Sequence, residues 1–186
     1  AEIINGTGVA IRQFVGQENT VTINGGLVQG TRAVWMQLPS SDATKAPIAT
    51  LNINGGTLEA TGENGGYKLA VYTYNYGNSM ENATVNVSGG KVMGDIALTG
   101  GTNKTHAGNL NVTGGYFEGG IYTYASEDAT NGLSISGGEF TQEAMEATDH
   151  NLIDEEYVFL QSPKCSAATI DIPDIGAPVY FTKHFS

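Results

Sequence analysis

Reaction chemistry needs titratable or nucleophilic groups at workable spacing, and this chain offers few. His106, His150 and His184 are scattered, and Cys165 is the single cysteine. No Ser-His-Asp arrangement and no His/Cys metal spacing emerges from them. The acidic stretches Glu127-Asp128 and Asp154-Glu155-Glu156 fit neither an EF-hand loop nor a nonapeptide calcium repeat, and read as solvated loops. Glu59 and Glu118 recur at one place in a repeated phrase, with Met93 between them. Two strand spacings would hold these carboxylates about 9.6 Å apart, just beyond the ~6.5–9.5 Å of inverting glycosidases. Asp95 is the only aspartate on a predicted strand face of the main repeats. The expectation is a non-enzyme with no catalytic residue, metal or cofactor.

Recognition is the chemistry better served, and aromatic residues carry it. The phrases AVWMQ, AVYTY, DIALT and GIYTY begin at Ala33, Ala70, Asp95 and Gly120. They align Trp35, Tyr72, Ala97 and Tyr122 at one position. Two residues on stand Gln37, Tyr74, Thr99 and Tyr124, with Arg12 at the equivalent place in an earlier copy, VAIRQ. On a strand both positions face away from Val34, Val71, Ile96 and Ile121. With Tyr76 extending the row, the only tryptophan and five of nine tyrosines share one predicted solvent face. Ring faces pack against the C–H surface of sugars while polar neighbours bond the hydroxyls. Trp35, Tyr72, Tyr74, Tyr122 and Tyr124 are therefore candidate glycan contacts, with Arg12 and Gln37 as polar helpers. Tyr72 and Tyr122 would stand about 9.6 Å apart, with a trough over Ala97 that suits alternate units of a β-linked glycan. The competing use is structural, because aromatics stacked on neighbouring strands stabilise a sheet by roughly 0.2–1 kcal/mol per pair. Stacking accounts for Trp35 beside Tyr72 but not for Tyr122, whose neighbour is Ala97.

The elements that hold these residues are repeats. TVTINGGLVQG, TLNINGGTLEATG, TVNVSGGKVMG, NLNVTGGYFEGG and GLSISGGEFTQ have glycine pairs starting at Gly25, Gly55, Gly89, Gly114 and Gly137. The periods are 30, 34, 25 and 23 residues, within the range of solenoids and propellers. In each copy a first strand alternates apolar residues (Val21 and Ile23, Leu51 and Ile53, and so on) with Thr, Asn or Ser. The glycine pair then turns a corner. A second short strand carries Val28, Leu58, Val92, Phe117 or Phe140, and the aromatic phrase is the third. Three strands per repeat with glycine corners predict an all-β parallel β-helix, a solenoid of about five to six coils at ~4.8 Å per coil. Propeller blades have four strands and their WD or kelch signatures are absent, while a sandwich would not repeat one phrase in register. The first strand's outward Thr/Asn ladder is what any soluble β-helix needs. Its Thr-x-Thr form, which ice-binding β-helices repeat, occurs only at Thr20-Val21-Thr22.

Coils are expected over residues 1–140. Beyond them, 141–186 reads as a C-terminal cap within the same domain: a short helix starting at Thr141, then strands at YVFLQ, ATIDI and VYFTK. The longest insertions, 39–49, 77–83, 100–108 and 125–131, all leave after the third strand, as binding loops on one side of a solenoid do. A net charge of −11 with eight Lys and Arg excludes a nucleic-acid footprint or an anionic membrane surface. No apolar run approaches the ~20 residues of a membrane span. The opening AEIING is itself strand-like, so the chain reads as a piece of a longer protein with further domains. Cys165 is left either buried or available to another chain.

The SGG-x-F phrase, followed by a short acidic helix and a Tyr-Val strand, resembles β-helical repeats of secreted and surface proteins of Gram-positive bacteria. More broadly it is similar to the right-handed, pectate-lyase-like parallel β-helix. The resemblance covers residues 1 to about 160. It implies an extracellular, secreted or cell-surface location. The expected function is a non-catalytic carbohydrate-binding or adhesion module whose partner is a polysaccharide or host glycan. A stalk that displays another domain is the alternative, and a polysaccharide lyase or glycosidase the third reading.

Overall fold

The computed structural model describes residues 1–14, 18–38, 48–63, 66–75, 82–99, 108–124, 132–161 and 179–183. The four long insertions lie almost wholly outside the described residues, as do Tyr76, His106, His184, Cys165, Glu127 and Asp128. The chain is predominantly β, and its strands follow the repeats. They are β1 (Glu2–Phe14), β2 (Asn19–Leu38), β3 (Ala49–Ala60), β4 (Leu69–Asn75), β5 (Ala83–Val87), β6 (Lys91–Met93), β7 (Asp95–Leu98), β8 (Asn109–Val112), β9 (Tyr116–Phe117), β10 (Ile121–Thr123), β11 (Leu133–Ile135) and β12 (Glu139–Phe140). Helix α1 (Gln142–Glu146), a 3-10 turn (His150–Leu152), β13 (Tyr157–Gln161) and β14 (Val179–Lys183) complete the order. Thr141 is the N-cap of α1, accepting from the Ala144 N–H.

Equivalent segments of successive repeats pair in parallel in one curled sheet. The first strands form the ladder β2-β3-β5-β8-β11, the second strands β2-β3-β6-β9-β12, and the third β2-β4-β7-β10, while β1 pairs with β2. Among the described residues only β14 runs antiparallel, to β12 and β13. Register follows the sequence phrase: Ile23 pairs with Ile53 and then Val87, and Val34 with Val71 and then Ile96. Period-two alternation sends these residues to one side, where Ile53, Leu58, Val34, Val71, Ile96, Leu110 and Ile121 are fully buried. Each contributes about 1.5–3 kcal/mol by leaving water. Phe117 and Phe140 extend the core as a stacked pair with ring centroids 4.6 Å apart.

The glycine pair has two separate causes. Its second member sits at positive φ, 85° at Gly56 and 86° at Gly90, which side chains resist. Its first member is needed for close approach. A Cβ on Gly55, Gly89, Gly114 or Gly137 would lie 2.7, 2.6, 2.6 or 2.4 Å from a backbone carbonyl oxygen of the preceding repeat. Gly25, the first of the series, would meet nothing within 4 Å.

On the opposite side of the first strands the polar residues bond one another along the ladder. Asn111 donates to Asn86 at 2.8 Å, Asn86 to Asn52 at 2.9 Å and Asn52 to Thr22 at 3.3 Å. The outer edge of β10 is closed by side chains. Ile121 N–H donates to Thr148 Oγ1 at 3.1 Å and Thr123 N–H to Asp149 Oδ2 at 2.8 Å. These two groups follow α1 directly, so the helix carries them to an edge that would otherwise present unpaired donors. Among the described residues no helix is long and apolar enough to cross a membrane.

Candidate functional site

Parallel pairing of the third strands puts Trp35 beside Tyr72, Tyr72 beside Ala97, and Ala97 beside Tyr122. The column therefore has the order read from the phrases. Its surface does not. Ala97 is fully buried, so there is no open trough at that level, and the aromatics divide into two groups.

The first group is Trp35, Tyr72 and Tyr74. Trp35 and Tyr72 have centroids 6.2 Å apart, and Tyr72 stacks on Tyr74 at 6.0 Å. Two arginines attend it: Arg12 lies 4.9 Å from the Trp35 ring centre, and Arg32 lies 5.3 Å from Trp35 and 5.1 Å from Tyr72. Cation–π attraction to this group holds both guanidinium groups against the rings. Arg12 differs from its expected place, because it pairs in register with Trp35 while Phe14 pairs with Gln37. A register shift in β1 between Asn5 and Val9 accompanies this. Gln37, expected at the surface, is completely buried. Its Oε1 accepts from Arg12 Nε at 3.1 Å and from the Arg12 guanidinium again at 2.6 Å, while its Nε2 has no partner. Thr99, in the same column, is buried too and donates to the Thr73 carbonyl at 2.7 Å. This half of the strip is largely committed to internal contacts.

The second group is open. Tyr122 lies against Tyr67 at 5.7 Å and meets Tyr124 edge-on at 5.5 Å. Tyr67 and Tyr124 are 46% and 41% exposed. The three rings, with Asp95, Thr123, Ala147 and Asp149, line a surface cavity of about 350 Å³. Asp95 Oδ1 accepts from Gly120 N–H at 2.9 Å and Oδ2 from the Tyr122 hydroxyl at 3.3 Å. Burial pushes the Asp95 carboxyl above the usual carboxylate range, against those two donors, which act to lower it. Burial also pushes the Tyr122 phenol far up, helped by the negative charge of Asp95. Burial raises the Tyr124 phenol in the same direction. The cavity thus presents three phenol hydroxyls, two carboxyl groups and three ring surfaces.

Tyr67 and Asp149 of this cavity, and Arg32 of the first group, were not visible as site residues in the sequence. Tyr67 stands outside the repeated phrases, between the second and third strands of its repeat, with no counterpart in the other copies. Asp149 follows the helix. Arg32 did carry a signal: a charged residue stands where its partner in β1 is Val9.

The carboxylates suspected from spacing are engaged elsewhere. Glu59 Oε2 accepts from Gln29 Nε2 at 2.7 Å, and Glu118 forms an ion pair with Lys91 at 2.6 Å. No group of three or more His, Cys, Asp or Glu converges among the described residues. Comparison with known proteins gives no match to a family model, to a curated protein or to a solved structure.

Proposed function

We propose that this chain is a parallel β-helix that binds a glycan without turning it over, as a carbohydrate-binding or adhesion module of an extracellular surface protein. The β-helix reading is supported by three parallel ladders that link the same three segments of every repeat. The glycan reading rests on one observation, the open cavity walled by Tyr67, Tyr122 and Tyr124 and edged by Asp95 and Asp149. Ring faces take the C–H surface of a pyranose, and carboxylates accept from its hydroxyls. The cavity's volume accommodates one or two sugar units, with the chain continuing across the exposed Tyr67 and Tyr124. Non-catalysis is supported by the carboxylates' existing roles, since each holds a backbone N–H of the third-strand edge.

A hydrolytic reading draws on a different observation. Asp95, biased toward its protonated form, shares the cavity with a second carboxylate, Asp149, and such pairs are used as acid and base. Affinity electrophoresis through gels containing soluble polysaccharides separates the two. Retarded migration with no release of reducing ends supports a binding module. Release of reducing ends that Asp95→Asn abolishes would replace it with a glycosidase, and free migration through every gel would remove the glycan reading.

A further inference from the structure

We propose that a second, smaller cavity beside Arg32 selects the acetamido group of an N-acetylated sugar. The inference rests on the glycan reading above and names the sugar class for that site. The cavity, about 200 Å³, is lined by Thr31, Arg32, Gly62, Glu63, Tyr67 and Leu69. Tyr67 also walls the larger cavity, so one glycan crossing its ring reaches both.

Arg32 is the unusual group. Its Nε is buried with no acceptor, and among the described residues no hydrogen bond or ion pair engages its guanidinium. Acids outnumber Lys and Arg by 19 to 8 in this chain, so an arginine without a carboxylate is not a matter of supply. Its contacts with Trp35 and Tyr72 fix the guanidinium in place. Arg32 lines the cavity, so an acceptor that enters it meets an arginine that no carboxylate engages. Glu63, exposed on the same cavity, supplies an acceptor. A ligand group that meets both must carry an acceptor and a donor side by side. The acetamido group does so, adds a methyl for the Tyr67 ring and Leu69, and carries no charge. A uronate carboxylate would satisfy Arg32 but oppose Glu63 and the net charge of −11. A free amine would satisfy Glu63 but oppose Arg32.

Titration calorimetry of the intact chain with three β-1,4-linked tetrasaccharides, of N-acetylglucosamine, glucosamine and glucose, tests this. The acetylated ligand is expected to bind tighter than both others by about ten- to a hundredfold, the range for hydrogen bonds to a charged group. Arg32→Met and, independently, Glu63→Gln should reduce that preference while binding through the tyrosine cavity persists. Glu63 is exposed, so its variant keeps the test usable if Arg32→Met unfolds. Equal affinity for the three ligands, preference for glucose or glucosamine, or a preference untouched by both substitutions overturns the assignment and leaves the glycan reading intact. Silence toward all three also overturns it. Whether the glycan reading falls with it is then decided by binding to other polysaccharides.

Discussion

The first glycine of each pair makes the stacking of repeats open to a sharp test. Gly89→Ala introduces a Cβ 2.6 Å from the Asn54 carbonyl oxygen, where side-chain Cβ atoms essentially never come within 3.0 Å. The shortfall is at least 0.4 Å, and both neighbours are backbone, so two paired repeats must move apart. Forced overpacking of this kind costs roughly 1–3 kcal/mol, which lowers Tm by about 2–12 °C at ~2–4 °C per kcal/mol for a chain of this size. Gly25→Ala is the matched control. It stands at the same place in the phrase, meets nothing within 4 Å and does not have a positive φ. Removing a glycine there should change stability by less than ~0.5 kcal/mol, or raise it by about 0.4–1 kcal/mol through the unfolded chain. Thermal melts followed by circular dichroism at 218 nm, a wavelength at which β structure absorbs, measure both variants. Equal losses, or a neutral Gly89→Ala, would refute the close approach of successive repeats at the glycine pair.

Three further outcomes follow from individual side chains. Phe117→Ala removes a fully buried ring stacked on Phe140 and should cost about 3–5 kcal/mol in a chemical-denaturation experiment. Thr148→Val removes the acceptor for the buried Ile121 N–H and the donor to the Ala144 carbonyl. That change should cost about 1–3 kcal/mol, and hydrogen exchange should accelerate at Ile121 before it does at Val71 in the sheet interior. Asp95→Asn concerns pH. Because the folded Asp95 carboxyl titrates above its unfolded value, its contribution is complete below about pH 3.9 and declines as pH rises through the folded value. An asparagine keeps an acceptor for Gly120 N–H and carries no charge, so the variant should gain stability relative to wild type between pH 3 and pH 7. A relative loss over that range in parallel melts would contradict burial as the dominant influence on Asp95.

Much of the fold was legible because a repeated phrase reports its own register. Val34, Val71, Ile96 and Ile121 occupy one position of the phrase, and the structure pairs them in that order. The glycine pair was legible as a corner but not as two requirements, since steric approach by the preceding repeat has no sequence signature. The site was legible only in part. Tyr122 and Tyr124 come together, yet their third partner, Tyr67, lies outside the repeats and no periodicity points to it. Gln37 and Thr99 share a column with exposed Tyr124 but are buried, because alternation fixes which way a side chain leaves the sheet and not what covers it. Arg12 pairs with Trp35, two positions from its expected place, because alternation along VAIRQ tells which face a residue takes and not which of two positions on that face.

The central claim is that the Tyr67–Tyr122–Tyr124 cavity holds a sugar. A broad glycan array, probed with the wild-type chain, a Tyr67→Ala/Tyr124→Ala variant and a Trp35→Ala variant of confirmed fold, tests it most directly. Binding by the wild type and by Trp35→Ala, lost in the double tyrosine variant, is the expected result. Binding that survives the loss of both tyrosines, or an array on which the wild type is silent, would contradict it.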